Sequence, residues 1–564
     1  MIPKSYDRQP NFSDGMDSFH YAADLKRNQS QLIQNFIVLD NGRAVTRPGA
    51  DLLATTVFNP SGPVQGIGFY DSMTNQGVPF QELIMAQGGQ FYTWNGSVWS
   101  VAIASWPQTL LASQQVVMVQ GVDSTYGTVI LASDGVNPMA FWNGTTFISC
   151  GATNSATNAP AGVNCLSQIA GMFVASGNAM IQNSVVYPPD TLFFSNYLAV
   201  KSGQWSVSQS FRVGNGDGEP IVGLAAIQST ASTVPVYQLA VLKQNSVWVV
   251  TINPQNYSTS GTPSGIAAMF AQLSANPQGD QVGTGIGCVG KAAYCLYQND
   301  LLFMSQDGVQ SLQRMQAAAG QYQLTAPLSE PIQNYIDRIN WSYGSIIQAV
   351  KYRRWAIFFV PLDNSTVNNY ALVWDGRLGQ WMIWSGWTPT CAVAARFATG
   401  TSFNGGFSQA GQQLIIGNSD GTVTVWKDST SLQYLVGTYL DNGVAIFQRI
   451  DTRSFIFGNY DLQKKMRSAQ VRFNQGTANV NLYYYFDTAM SDSASADLGV
   501  GQTTLPVILP FTLASSKPQV AYQSLLELPY CFEMYVSIQA NSGFMDVREI
   551  LVCGYIKFAP DPSA

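Results

Sequence analysis

The sequence predicts an all-β protein: a β-propeller of six blades, an extended N-terminal arm and a C-terminal β-sandwich-like domain. Three observations predict it. Helical periodicity is scarce, and the chain reads as short β-rich runs such as VYQLAVLKQNSVWVVTI, YRRWAIFFVPL and GQQLIIGNSDGTVTVWKD, separated by Gly, Asn, Asp and Pro. Within or between such runs lie Asn95-Gly96, Asn143-Gly144, Asp307-Gly308, Asp375-Gly376 and Asp420-Gly421. These pairs mark tight hairpins, because both turn residues must take positive φ. The hairpins also recur. Trp94-Asn95-Gly96 returns as Trp142-Asn143-Gly144, 48 residues on, and Trp374-Asp375-Gly376 is followed by Trp426 after another 52. A period near 50, with four strands per unit and an aromatic residue at the turn, is the pattern of propeller blades and favours them over stacked sandwiches.

The elements follow in order. Residues 1–50 have few strand signals and read as an extended arm. Residues 51–450 hold the repeating hairpins, and the 332 residues from Trp94 to Trp426 span six or seven periods. A Gly/Ser/Thr/Pro/Gln-rich stretch near 253–287 reads as an inserted loop, which leaves six. A short helix is expected from Pro331 to Ile339, where Ile332, Tyr335, Ile336 and Ile339 fall on one face. The period is lost in residues 451–564. There NVNLYYYFDTA, QTTLPVILPFTLA, FEMYVSIQA and REILVCGYIKF read as strands of a separate β domain, with Asn541-Ser542-Gly543 as a turn and 490–502 as a flexible loop.

Composition excludes several functions. Of the 564 residues, 46% are apolar, 12% aromatic and only 11% charged, with a formal net charge of −6. That is core material for about three or four domains. It is incompatible with disorder, and with a basic nucleic-acid binder whose affinity comes from clustered Lys and Arg. The single histidine, His20, excludes a His-rich zinc site and a two-His iron site, and any Ser-His-Asp or Cys-His triad has to use it. Carboxylate-only chemistry remains open. The N-terminus has no apolar signal core, and no window approaches 18 apolar residues, so membrane insertion is not expected. The seven cysteines are odd in number, lack CxxC spacing and read as free thiols made in a reducing compartment. So low a surface charge suggests that much of the surface is buried against other subunits.

Each candidate motif has a structural reading that outweighs its chemical one. Gly285-Ile286-Gly287-Cys288-Val289-Gly290 matches GxGxxG, but strands rather than a helix follow it, so a bend between blades is expected and no nucleotide site. Ser305-Gln306-Asp307-Gly308 and Ser419-Asp420-Gly421-Thr422 resemble the Asp-box hairpins of sialidase-like propellers, in which the Asp bonds its own turn. Asn215-Gly216-Asp217-Gly218-Glu219 begins like a calcium loop but lacks the spaced ligands, and reads as a polar turn. Trp381, Trp384 and Trp387 offer rings for sugar stacking, with core packing as the prevailing expectation. Lys351, Arg353 and Arg354, and then Lys464, Lys465, Arg467 and Arg472, form two basic clusters that read as solvated or interface faces. No catalytic, cofactor-binding or metal-ligating residue is assigned.

An ordered series of segments carries a resemblance. Asn41-Gly42-Arg43 and Arg47-Pro48-Gly49 are followed by Gly89 to Gly96, Leu192 to Asn196 with Trp205, and Asp217 to Leu224. Ser246-Val247-Trp248, Gly287-Cys288, Leu302 to Val309, Tyr352 to Pro361, and Val373 to Gly376 with Trp381 complete it. The series resembles the tail nozzle family of short-tailed bacteriophages, also called tail tubular protein B or tail stabilisation protein. No single segment is specific; order and spacing carry the weight, and beyond Ile450 the match is faint. The resemblance implies a non-enzymatic structural protein of the virion tail, made in the host cytoplasm. It implies a homo-hexameric ring below a head-to-tail adaptor ring, which continues and gates the DNA ejection channel and anchors fibres or a needle. Double-stranded DNA is expected to pass without specific binding, and a charge-poor, mildly acidic chain suits that, since each neutralised phosphate adds affinity. Ring closure also buries surface on both sides, in keeping with the low charge. The alternative is a carbohydrate-binding or glycan-hydrolysing propeller of a tail spike or lectin, which does not require a ring.

Overall fold

The computed structural model describes residues 4–53, 62–73, 77, 79–94, 98–102, 114–151, 155–214, 216–229, 236–252, 279–319, 326–397, 411–426, 439–458, 462–476, 478–487, 496–499, 519–524 and 530–556. The Asn95-Gly96 turn, residues 253–278 of the expected insertion and most of the expected 490–502 loop lie outside them; Ala496–Gly499 within that loop is a strand.

The chain is all-β, and its middle is a propeller of antiparallel sheets wound as meanders. The sheets begin at Val64–Met73, Val117–Asp123, Cys165–Ile169, Ile221–Ser229, Tyr294–Tyr297, Gln348–Tyr352 and Pro389–Phe397. These first strands form a closed ring. The first packs on the second, the second on the third and the third on the fourth; the fifth packs on the sixth, the sixth on the seventh and the seventh on the first. The fourth and fifth are joined where the Tyr294 hydroxyl donates to Leu224 O (2.9 Å) and accepts from Leu224 N (3.2 Å). The expected six blades are therefore seven among the described residues. The count differs because Ser246–Ile252 and Asp280–Thr284, which flank residues 253–278 in sequence, pair within the fourth sheet, so the expected insertion does not replace a blade. The seventh sheet also takes its last strand, Ala50–Leu52, from the other end of the chain.

Blades buried on both faces need near-continuous apolar strands rather than alternation. Trp355–Val360 (WAIFFV) is buried at every position, and Gln380–Ser385 (QWMIWS) at all but its last. Separate clusters fill the gaps between blades one and two (Tyr70, Phe91, Trp142, Phe147), two and three (Leu131, Phe141, Phe173, Trp205), three and four (Phe194, Phe211, Leu239, Val250) and seven and one (Val64, Trp94, Phe397, Ile415). The fifth sheet has three strands among the described residues. It is followed by an unanticipated helix, Leu312–Ala319, which buries Leu312, Met315 and Ala318. The expected helix at Pro331–Ile339 forms as a 3-10 turn, Glu330–Ile332, and a short α-helix, Gln333–Ile336. Ile332, Tyr335, Ile336 and Ile339 are all buried.

Between blades one and two sits Glu82. Burial raises its pKa to about 7 from an ordinary 4.5, opposed by the polar groups of Thr93 and Trp142. The folded state thus holds a proton between pH 4.5 and 7 that the unfolded chain has released, so stability falls as pH rises through that window. Glu82→Gln is expected to raise the thermal midpoint above pH 7 and to make little difference below pH 4.5, as differential scanning calorimetry at both pH values will show.

The C-terminal domain is two sheets, and the N-terminal arm is woven into both. One sheet runs in the order Phe36–Val38, Ala44–Thr46, Met545–Ile556, Lys464–Gly476 and Gln519–Ser524, with Lys4–Gln9 also paired to Met545–Ile556. The other continues from the sixth blade. Gln380–Ser385 pairs in parallel with Ser30–Gln34, which pairs with Gln448–Thr452, then Met534–Ala540, Asn479–Phe486 and Ala496–Gly499. A single buried core joins arm residues such as Phe12, Ile33 and Phe36 with blades four to seven and with Val471, Tyr484 and Ile538 of the C-terminal sheets.

Candidate functional site

The arm's residues from Asp17 to Ala22 are held as a tight polar turn against the C-terminal domain. The Asp17 carboxylate accepts from the backbone of Phe19 (3.3 Å) and His20 (3.1 Å), and its Oδ2 lies 3.0 Å from His20 Nδ1. Ser18 N donates to Pro331 O (2.9 Å), and Ser454 N donates to Ala22 O (2.9 Å). This turn leaves a cavity of about 420 Å³ lined by the arm on one side and by Tyr485, Asp487, Glu533 and Tyr535 on the other.

The opposite wall is set by strand register. Tyr485 and Tyr535 face each other across Asn479–Phe486 and Met534–Ala540, and their rings stack at 4.5 Å and 5°. Burial pushes the Tyr535 hydroxyl up to about 12, with Asp451 the next contributor. Asp487, at φ +50, turns its carboxylate back to accept from Phe532 N (2.6 Å) and Glu533 N (3.0 Å). That places Glu533, 6% exposed, where its Oε1 accepts from the Tyr21 hydroxyl at 2.6 Å. Sequence reasoning singled out His20 but missed its neighbours. The available signal was the run Phe19-His20-Tyr21, three consecutive aromatic rings.

The other sequence candidates are structural. Trp381, Trp384 and Trp387 are buried, so they are core and not a sugar platform. Gly285 to Gly290 bridge the fourth and fifth blades. A Cβ on Gly287 would overlap the Lys243 and Gln244 backbone, so close approach explains that glycine. Asp420 Oδ1 accepts from Thr422 N (2.9 Å) and Oγ1 (2.7 Å), the self-bonded turn expected of it. At the other such hairpin it is Ser305 that bonds the turn, donating to Gly308 O at 2.8 Å. Asp217 takes the buried Lys243 ammonium at 2.7 Å, and Glu219 accepts from Ser246 Oγ at 2.6 Å; Asn215 lies outside the described residues. In the basic clusters, Arg354 pairs with Asp40 (2.6 Å) and Asp375 (2.9 Å), Lys464 donates to Phe532 O (2.6 Å), Arg467 to Tyr555 Oη (2.6 Å) and Arg472 to Glu549 (2.6 Å). Among the described residues, no group of three or more His, Cys, Asp or Glu side chains is placed to hold a metal ion, and no helix is long and apolar enough to cross a membrane.

Glycoside hydrolysis needs two carboxylates facing each other across a sugar. The first strands of the seven sheets carry Asp71 and Asp123 among the described residues. Asp123 accepts from the backbone of Thr125 (2.7 Å), Tyr126 (3.2 Å) and Val200 (2.9 Å), and Asp71 from Gln81 Nε2 (2.9 Å).

All seven cysteines are free and buried. Burial pushes Cys165, Cys288, Cys295, Cys391 and Cys531 up to about 12 and Cys150 higher still. Because the thiolate is the reactive form, Ellman's reagent at neutral pH is expected to find almost no reactive thiol in the native protein and all seven after denaturation.

No family model and no curated protein matches the chain. Among solved structures, the chain is similar to BBS1N in complex with ARL6DN, at 10% identity and a TM-score of 0.33 over 63% of this chain and 89% of that one. It is also similar to an exo-β-1,3-galactanase from Phanerochaete chrysosporium, at 9% identity and a TM-score of 0.22 over 90% of this chain and 100% of that one. A glycoside hydrolase gives 8% identity and a TM-score of 0.23 over 90% and 100%. At such TM-scores the likeness carries no argument, and the propeller rests on its own sheets.

Proposed function

We propose that the chain is a non-enzymatic structural subunit of a short phage tail. In this reading six copies close into a nozzle ring that continues the DNA channel beneath an adaptor ring and anchors fibres or a needle. The observation that carries the reading is the ordered series of segments from Asn41 to Trp381. Its members serve as joints of the scaffold: Arg47-Pro48-Gly49 at the propeller seam, Asp217 and Glu219 clipping the fourth blade, and Trp374 to Gly376 at the sixth-blade turn. Residues held as joints suit a conduit wall better than a reaction centre, where side chains converge on one point.

A conduit must also pass a polyanion without retaining it. The basic clusters support this, because the guanidinium and ammonium groups of Arg354, Lys464, Arg467 and Arg472 are engaged within the chain. Mass photometry and negative-stain microscopy of the purified chain, alone and with the candidate adaptor ring, test the reading. Six-membered rings, alone or templated on the adaptor, are the expected result. A stable monomer that ignores the adaptor sinks it and brings the glycan-binding alternative forward.

A further inference from the structure

The cavity between the arm and the C-terminal sheet has a chemistry that the nozzle reading leaves unused. Its volume of about 420 Å³ falls in the usual range for ligand pockets. Its walls are aromatic: Phe19 and Tyr21 are 52% and 43% exposed, and Tyr485 and Tyr535 stand as a stacked pair. Aromatic faces carry negative quadrupole charge and attract cations. Two carboxylates, Asp487 and Glu533, line it beside His20 and the neutral Gln31 and Ser454. Glu533 is 6% exposed and spends Oε1 on the Tyr21 hydroxyl, while its buried Oε2 has no hydrogen-bond partner.

A carboxylate oxygen only accepts, and leaving it buried without a donor is costly. Among the described residues no Lys or Arg lines it, His20 is turned to Asp17, and the neighbouring Arg449 is held by Asp451 at 2.7 Å. We propose that this cavity binds the guanidinium or ammonium group of an arginine or lysine side chain presented by a partner protein. The aromatic walls receive the cation, and the Glu533 and Asp487 carboxylates supply the opposing charge. This inference does not rest on the nozzle reading.

Isothermal titration calorimetry of the full chain tests it with two peptides, acetyl-Gly-Arg-Gly-amide and its neutral isostere, in which citrulline replaces arginine. Saturable binding of the arginine peptide is expected, at least about tenfold tighter than the citrulline peptide and weakened as salt rises. Glu533→Gln is expected to remove most of that preference. Phe19→Ala, a change at an exposed ring that leaves the core untouched, is expected to weaken binding a few-fold. Equal binding of the two peptides, affinity unchanged in both variants, or no saturable heat up to about 10 mM peptide overturns the proposal. Binding of lactose in preference to the arginine peptide overturns it too, and assigns the cavity to neutral sugars.

Discussion

Arg47→Met is expected to cost the folded protein ~3–5 kcal/mol, the usual penalty for breaking a buried ion pair from one side. Arg47 is fully buried at the seam where the arm closes the seventh blade. Its Nε donates to Asn35 Oδ1 (2.9 Å), Nη1 to Pro48 O (3.0 Å) and Asp441 Oδ1 (3.0 Å), and Nη2 to Ser385 O (2.6 Å) and Asp441 Oδ2. All five N–H groups of the guanidinium are thereby used. The cation also lies 4.1 Å from the centre of the Trp387 ring. Removing it strands Asp441 and several buried acceptors together. Arg47→Lys is expected to recover only part of the loss, because an ammonium cannot reproduce the planar fork. Urea unfolding followed by tryptophan fluorescence measures both. A double-mutant cycle with Asp441→Asn isolates the pair and is expected to show strong non-additivity. Near-additive losses would mean that the fork's backbone contacts matter more than the ion pair.

Trp384→Ala is expected to cost ~3–5 kcal/mol, the range for truncating a fully buried large aromatic. Trp384 meets Trp426 edge-on at 4.5 Å, Trp355 at 5.7 Å and Trp387 at 6.4 Å, and its Nε1 donates to Phe36 O at 2.8 Å. The change opens a cavity where blades six and seven and the arm meet, and orphans a buried carbonyl. Trp384→Phe keeps a ring and loses the donor, so its cost is expected to be smaller. Coupled indoles give strong near-ultraviolet dichroism, which is expected to collapse in Trp384→Ala while the far-ultraviolet signal of the sheets survives. A near-ultraviolet spectrum that stays native would show that the remaining rings repack without it.

Local chemistry was legible in the sequence and long-range pairing was not. The hairpin at Asn143 was readable because its side chain accepts from Thr145 N (3.0 Å) and Thr146 N (2.9 Å), a bond written in adjacent residues. The buried face from Ile332 to Ile339 was readable from its spacing. The seventh blade was not, because its fourth strand pairs Ala50 with Trp426 and Leu52 with Thr424, partners that no period connects. The arm looked extended because each of its strands is short and completes a sheet made elsewhere. The aromatic cavity is assembled from residues near positions 20, 485 and 533, which lie dozens to hundreds of residues apart and are joined only by folding.

The arm's pairing has a consequence for the order of synthesis. Lys4–Gln9 leaves the ribosome long before its partner, Met545–Ile556, is made. At translation speeds of about 5–20 residues per second, the strand waits roughly half a minute to two minutes with its edge unpaired. Such an edge invites association with other nascent chains. Lys4, Asp7 and Arg8 place three charges in a six-residue strand of a chain that otherwise spends few, and gatekeeping charges of this kind keep an idle edge soluble until its template arrives.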